Sequence, residues 1–155
     1  NPSPKICLHD SDVIINWLTK EEDHASNEKL WEAPHKIIKL IETKKIAGFY
    51  TLINLLEIRF VLRRKKGFSE EKIKKDIAKI LSLIEIIIPD EIVLLKANNL
   101  QMDRPFSPFD AMLVAISSSF PSAVLVSRDK SLLGLASKEV SVATPEEFLK
   151  DIEMP

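Results

Sequence analysis

Along the chain, short unbroken apolar runs alternate with longer stretches in which apolar residues recur every three or four positions. The unbroken runs cover residues 5–9, 46–50, 85–88, Ala123–Val126 and 140–142, lengths that suit strands buried on both faces. The periodic stretches between them predict amphipathic helices. The first runs through Val13, Ile14, Trp17 and Leu18, with Ser11 or Asp12 as its cap. Residues 20–27 are charged and polar and read as an exposed loop. A second helix covers about 28–43, where Leu30, Ile37, Leu40 and Ile41 mark its apolar face. Pro34 inside it either kinks it or sets a new start. Thr51 caps a helix over 52–66, and Gly67 closes it. Ser69-Glu70-Glu71-Lys72 resembles a capping box and opens a helix through Ile84, so that these two helices form a hairpin. Residues 91–101 are helical and 102–105 are loop. Ser107-Pro108 starts the next helix, and Pro121 ends it. Residues 130–135 form a short helical turn, and Thr144-Pro145 opens a terminal helix. Residues 1–4 are a polar lead-in.

Strands alternating with helices predict an α/β chain. The expected architecture is three-layer α/β/α around a central, mostly parallel sheet of four to five strands, with right-handed crossovers. The 155 residues are read as a single domain over 1–155. No apolar run reaches the roughly 20 residues of a membrane span. The opening residues carry no signal-peptide pattern. The single cysteine, Cys7, excludes an internal disulfide and lies in an apolar run as a small core residue. A reducing, cytoplasmic setting is expected. The start at Asn1 rather than Met raises the expectation of residues missing upstream. The net charge of −1 hides an asymmetry: 16 Lys and Arg face 12 Asp and Glu up to Lys79, and 6 face 11 beyond it. Arg63-Arg64-Lys65-Lys66 is the densest charge run.

Chemistry concentrates where apolar runs end. Asp10 follows the first run, and Asp129 follows the fourth in Leu125-Val126-Ser127-Arg128-Asp129. Asp110 stands in the first turn of the helix after Ser107-Pro108. Glu57 lies inside a helix between Leu56 and Ile58. An acid at the carboxyl end of a parallel strand sits where open α/β sheets bind ligands. Several carboxylates buried together would take up protons, unless a divalent cation neutralises them. Carboxylate, water and phosphate oxygens suit Mg²⁺ or Mn²⁺. Each acid also has a purely structural reading. Asp10 and Asp12 serve as a cap and its neighbour, Asp110 favours a helix N-terminus, Asp129 fits a turn, and Glu57 pairs with Arg59 or Arg64. His9, His24 and His35 are scattered and form no ligand cluster by spacing.

Four blocks together resemble the PIN domain family: residues 8–15, residues 52–58, residues 107–115 and residues 125–130, with a helical hairpin after the second. The resemblance implies a metal-dependent endoribonuclease whose acidic quartet is Asp10, Glu57, Asp110 and Asp129, with Ser127, Ser11 and Asp12 in support. It implies Asp10 and Asp110 as the nearest ligands of Mg²⁺ or Mn²⁺. Glu57 and Asp129 then act through water or on a second, weaker ion. RNA hydrolysis would leave a 5′-phosphate and a 3′-hydroxyl. Many members are toxins of toxin–antitoxin pairs, and others process ribosomal RNA. Ile, Leu and Phe on the helices over 52–83 exceed what one sheet face covers, which suits a homodimer or an antitoxin peptide lying in a groove of the hairpin. His9 departs from the pattern, standing where an apolar residue is usual, and so does Asp12, standing where Asn or Ser is frequent. Arg63, Arg64, Lys65, Lys66, Arg128 and Lys130 are candidate RNA contacts, and Trp17, Phe106 and Phe109 are candidate stacking or core residues. Two other readings compete. One is a haloacid-dehalogenase-like phosphatase with Asp10 as nucleophile and Asp12 as acid/base, which needs a lysine after a later strand and gives Glu57 no role. The other is a non-catalytic PIN-like module that binds RNA or protein.

Overall fold

A computed structural model describes residues 5–153. The lead-in at 1–4 falls outside them. The first strand, β1 (Ile6–His9), has Cys7 and Leu8 fully buried on opposite faces of the sheet. The other sheet strands are β4 (Ala47–Thr51), β5 (Glu85–Ile87), β6 (Ala123–Val126) and β7 (Ser141–Ala143). All pairings among them are parallel, in the order β5-β4-β1-β6-β7. Register is set by Ile6 opposite both Ala47 and Ala123.

Helices cover both faces. On the Cys7 face pack α1 (Ser11–Thr19), α2 (Glu32–Glu42), α3 (Leu52–Arg64), α4 (Glu70–Leu83) and α8 (Pro145–Glu153). On the Leu8 face pack α5 (Glu91–Asp103), α6 (Pro108–Ser118) and α7 (Lys130–Ala136). The result is the expected three-layer α/β/α arrangement with five parallel strands. No helix among the described residues is long and apolar enough to cross a membrane.

Several local expectations shift. The charged loop at 20–27 contains a small antiparallel hairpin, β2 (Glu22–Asp23) with β3 (Glu28–Lys29). Its turn is held by Ser26 Oγ donating to Asp23 Oδ2 at 2.7 Å and by Asn27 at φ 57°, features that leave no hydrophobic alternation to read. The second helix starts at Glu32 rather than 28, so Pro34 is its third residue. A proline there forfeits no intrahelical hydrogen bond, because the first N–H groups are unpaired anyway. The cap of α1 is Asp10, whose Oδ1 accepts from Ser11 N–H at 2.7 Å, rather than Ser11 or Asp12. Ser69 caps α4 by accepting from Lys72 N–H at 3.2 Å, but with Lys72 in the third position the reciprocal half of a capping box is missing. The complete box is at α8: Glu147 N–H donates to Thr144 Oγ1, and Thr144 N–H donates to Glu147 Oε1, both at 3.2 Å.

The topology fixes where a ligand can sit. From β1 the chain crosses to β4 on one side, and from β6 it crosses to β7 on the other. Neighbouring strands whose exits diverge leave a crevice at their carboxyl ends. Here that crevice lies between Asp10 and Ser127, and Asp10 N–H donates to Val126 O at 2.9 Å across it.

Candidate functional site

At the crevice a cavity of about 200 Å³ is lined by Asp10, Asp12, Asn54, Glu57, Phe109, Asp110, Leu113 and Asp129. Four different elements deliver the four expected acids to one space. Asp10 comes from the end of β1, and Glu57 from the second turn of α3. Asp110 comes from the first turn of α6, and Asp129 is the N-cap of α7. Asp10, Glu57 and Asp110 are half-buried, and Asp129 is exposed.

Hydroxyls fix the carboxylates. Ser127, fully buried, donates its Oγ to Asp10 Oδ2 at 2.8 Å and accepts from Asp129 N–H at 3.0 Å, so one hydroxyl sets the spacing of two acids. Asp129 Oδ1 accepts from Ser131 N–H at 3.0 Å and Leu132 N–H at 3.2 Å. Ser107 Oγ accepts from Asp110 N–H at 3.2 Å. Asp12 Oδ2 accepts from Arg128 N–H at 2.9 Å and ties the β6 exit to α1. Asp12 Oδ1 is buried with no hydrogen-bond partner.

Electrostatics register the crowding. Burial, then the charge of Asp12, pushes the Asp10 carboxyl up to about 7, against the lowering effect of Ser127 and of Ser11 N–H. Burial pushes Asp12 up to about 6, opposed by the Arg128 and Val13 N–H groups and the Arg128 guanidinium. Asp110 is raised by burial and by the charges of Asp129 and Glu57, against the Ser107 hydroxyl. Among the described residues no three His, Cys, Asp or Glu side chains already form a compact metal-ligand set. The donors still fit a hard divalent cation. They are all oxygens, one of them is a buried carboxylate oxygen lacking any partner, and the pocket otherwise relieves its charge by holding protons.

Other expected residues fall into place differently. Ser11 is buried and accepts from Asn54 Nδ2 at 2.8 Å, while Asn54 Oδ1 accepts from Thr51 Oγ1 at 2.5 Å. Asn54 is not among the residues expected at the site. The signal was its spacing: Asn54 and Glu57, three apart on one helix, share a face. Arg128 is turned inward rather than toward a ligand. Its Nε donates to Asn16 Oδ1 and one terminal nitrogen to Leu30 O, both at 2.6 Å, and the other pairs with Glu146 at 2.8 Å. Arg63 lies 3.5 Å from Glu70, and Arg59 pairs with that same Glu70 rather than with Glu57. Arg64, Lys65, Lys66 and Lys130 are exposed. Trp17 and Phe106 are core residues, whereas Phe109 is 55% exposed at the cavity.

His9 is fully buried, and desolvation lowers its pKa to about 4. With Nδ1 donating to Phe49 O at 3.4 Å, Nε2 can accept from the Cys7 thiol at 3.2 Å, which makes it a neutral core histidine. Burial raises the Cys7 thiol pKa. Among the described residues no lysine lines the cavity, which leaves the phosphatase reading without the cation it needs there.

The profile of one protein family, described as PIN domain, matches residues 7–138. No curated protein matches the chain. Among solved structures, VapBC2 from Rickettsia felis bound to a promoter DNA fragment aligns at TM-score 0.69 and 13% identity, over 90% of this chain and 98% of that one. FitAB bound to the IR36 DNA fragment aligns at 0.65 and 16%, over 90% and 94%. A toxin–antitoxin complex from Klebsiella pneumoniae aligns at 0.64 and 14%, over 90% and 97%. At these identities the likeness is one of fold.

Proposed function

The chain belongs to the PIN domain family, and from that premise we propose that it is a metal-dependent endoribonuclease, the toxin of a toxin–antitoxin pair. The observation that carries the reading is the shared cavity: Asp10, Glu57, Asp110 and Asp129, far apart in sequence, line one space at the sheet's switch point. Asp10 and Asp110 would hold Mg²⁺ or Mn²⁺ directly, with Glu57 and Asp129 completing the set through water. A divalent cation bound there supplies charge neutralisation at the scissile phosphate and lowers the pKa of water. The protein's own part is positioning. Ser127 holds the Asp10 carboxylate and the Asp129 backbone in register, and Ser11 fixes Asn54, which lines the same cavity. RNA hydrolysis in line would leave a 5′-phosphate and a 3′-hydroxyl. Supporting a partner and a homodimer are exposed apolar residues on α3 and α5, including Leu56, Ile92 and Leu95. A cytoplasmic setting, where RNA and a partner antitoxin are at hand, completes the reading.

The test is cleavage of a single-stranded RNA by the purified protein in Mg²⁺ or Mn²⁺, with and without EDTA, beside Asp10→Asn. Loss of cleavage in EDTA and in Asp10→Asn is expected. Equal cleavage in both, or none by the unaltered protein with either metal, refutes the proposal.

A further inference from the structure

The acid cavity has a neighbour. An open groove of about 460 Å³ is lined in part by Asp12, Glu21, Glu57, Phe60, Lys65 and Lys66. Asp12 and Glu57 belong to both spaces, so the two adjoin at those side chains. Their sizes divide the labour. Small-molecule sites occupy about 300–1,000 Å³. The acid cavity, at about 200 Å³, has room for a phosphodiester with its cation and water, but not for a base as well. The groove falls within the range that takes a base and sugar.

Its wall carries the matching chemistry. Phe60 is 59% exposed, while Ile58 and Leu62 of the same helix are fully buried, so the Phe60 ring stands largely outside the core. Beyond it, at the end of α3, stand Lys65 and Lys66. Lys66 lies 3.3 Å from Glu21, and Lys65 makes no ion pair among the described residues. An exposed aromatic face followed by cations is how sequence-tolerant sites hold single strands.

We propose that this groove is a nucleotide subsite in which the base beside the scissile phosphate stacks on Phe60 and the next phosphate meets Lys65 and Lys66. It rests on the ribonuclease reading for what occupies the acid cavity. The substrate class follows: a base must leave its stack to lie on Phe60, so the subsite selects single-stranded over duplex nucleic acid.

The experiment uses the full chain with Asp10→Asn as the non-cleaving parent. A short single-stranded RNA carrying 2-aminopurine is titrated against Phe60→Ala, Phe60→Leu and Phe60→Trp in that parent, with the matching duplex as control. The same three changes are assayed for cleavage in the active protein. Stacking of one base on the ring predicts about 5- to 150-fold weaker binding for Phe60→Ala and Phe60→Leu. Phe60→Trp restores binding and the 2-aminopurine quench. Lys65→Gln with Lys66→Gln lowers the slope of log affinity against log salt by about 0.7, the share of one phosphate. Unchanged binding in Phe60→Ala beside normal metal-dependent cleavage overturns the subsite and leaves the ribonuclease standing. Phe60-dependent binding by a protein that cleaves no RNA keeps the subsite and refutes the ribonuclease. Equal affinity for the duplex, or a Phe60→Ala effect confined to oligomeric state in light scattering, overturns the subsite.

Discussion

Asp10 is under three demands at once: it caps α1, accepts from Ser127 and lines the acid cavity. Its carboxyl, pushed up to about 7 by burial, makes ionisation oppose folding. Between the ordinary carboxylate value and about 7 the folded state keeps a proton that the unfolded state has lost, so stability falls as pH rises through that window. Asp12, at about 6, acts in the same direction. His9, lowered to about 4, acts oppositely, costing stability as pH falls below its ordinary value of 6.5. In EDTA the melting temperature should therefore be higher at pH 6 than at pH 8, by the equivalent of about 1 kcal/mol for Asp10 alone, and go on rising below pH 6, where Asp10 and Asp12 together outweigh His9, until the ordinary carboxylate range is reached. Asp10→Asn, which keeps an acceptor for Ser11 N–H, should melt higher than the unaltered protein at pH 8 in EDTA and lose stabilisation by Mn²⁺. A lower melting temperature for Asp10→Asn under those conditions counts against the buried-charge account. Ser127→Ala leaves Asp10 and Asp129 each short of a partner, and should cost about 1–3 kcal/mol in melting together with a fall in the rate of RNA cleavage. At this scale the meeting of the four acids in one cavity was legible because Asp10 and Asp129 follow apolar runs, Glu57 interrupts an apolar helix and Asp110 opens a helix after Ser107-Pro108. Asn54 and Phe60 were not, since one looks like any cap-proximal amide and the other like core. The inward Arg128 was not either, because its partners lie on α1, near β3 and on α8, out of reach of local pattern.

Elements were legible where burial imposes a period. Among the described residues, all five sheet strands and all eight helices answer to apolar runs or stripes, with boundaries off by a few residues where caps rather than apolar positions decide. The 22–29 hairpin was invisible because hydrogen bonds among Asp23, Ser26 and their neighbours hold it, not packing. Packing between elements is sharper than sequence suggests at one place. Gly48 in β4 lies under α2, where an added Cβ would collide with the Ile41 side chain. Ile41 is itself buried in the core, so it has little room to move aside. Gly48→Ala should cost about 1–3 kcal/mol in urea unfolding, and Ile41→Val in the same chain should recover part of it. Additive losses in the double variant would mean that the two residues do not share a tight contact.

For the whole molecule, the open question of surface is set by apolar residues that the core leaves uncovered. On α5, Ala97 and Leu100 face inward, while Ile92 is 75% exposed and Leu95 60% exposed. Ile88 beside them and Leu56 on α3 are likewise exposed. Exposed apolar side chains gathered on one helix mark a protein contact surface, and most soluble oligomers are assemblies of identical chains. The acid cavity lies at the carboxyl end of the sheet, so a partner seated on the α5 face would leave its mouth open to substrate. Light scattering on the unaltered protein should therefore report a dimer, and Ile92→Glu with Leu95→Glu should give a folded monomer. Both positions are solvent-facing, so the circular dichroism spectrum should not change. If self-association also forms the nuclease's working surface, the monomer should lose RNA cleavage; if it only hides apolar area, the monomer should cleave as before and aggregate more readily on warming. A monomeric unaltered protein would leave the α5 face to a heterologous partner instead, and co-purification with the product of an adjacent small reading frame is the measurement that would then assign it.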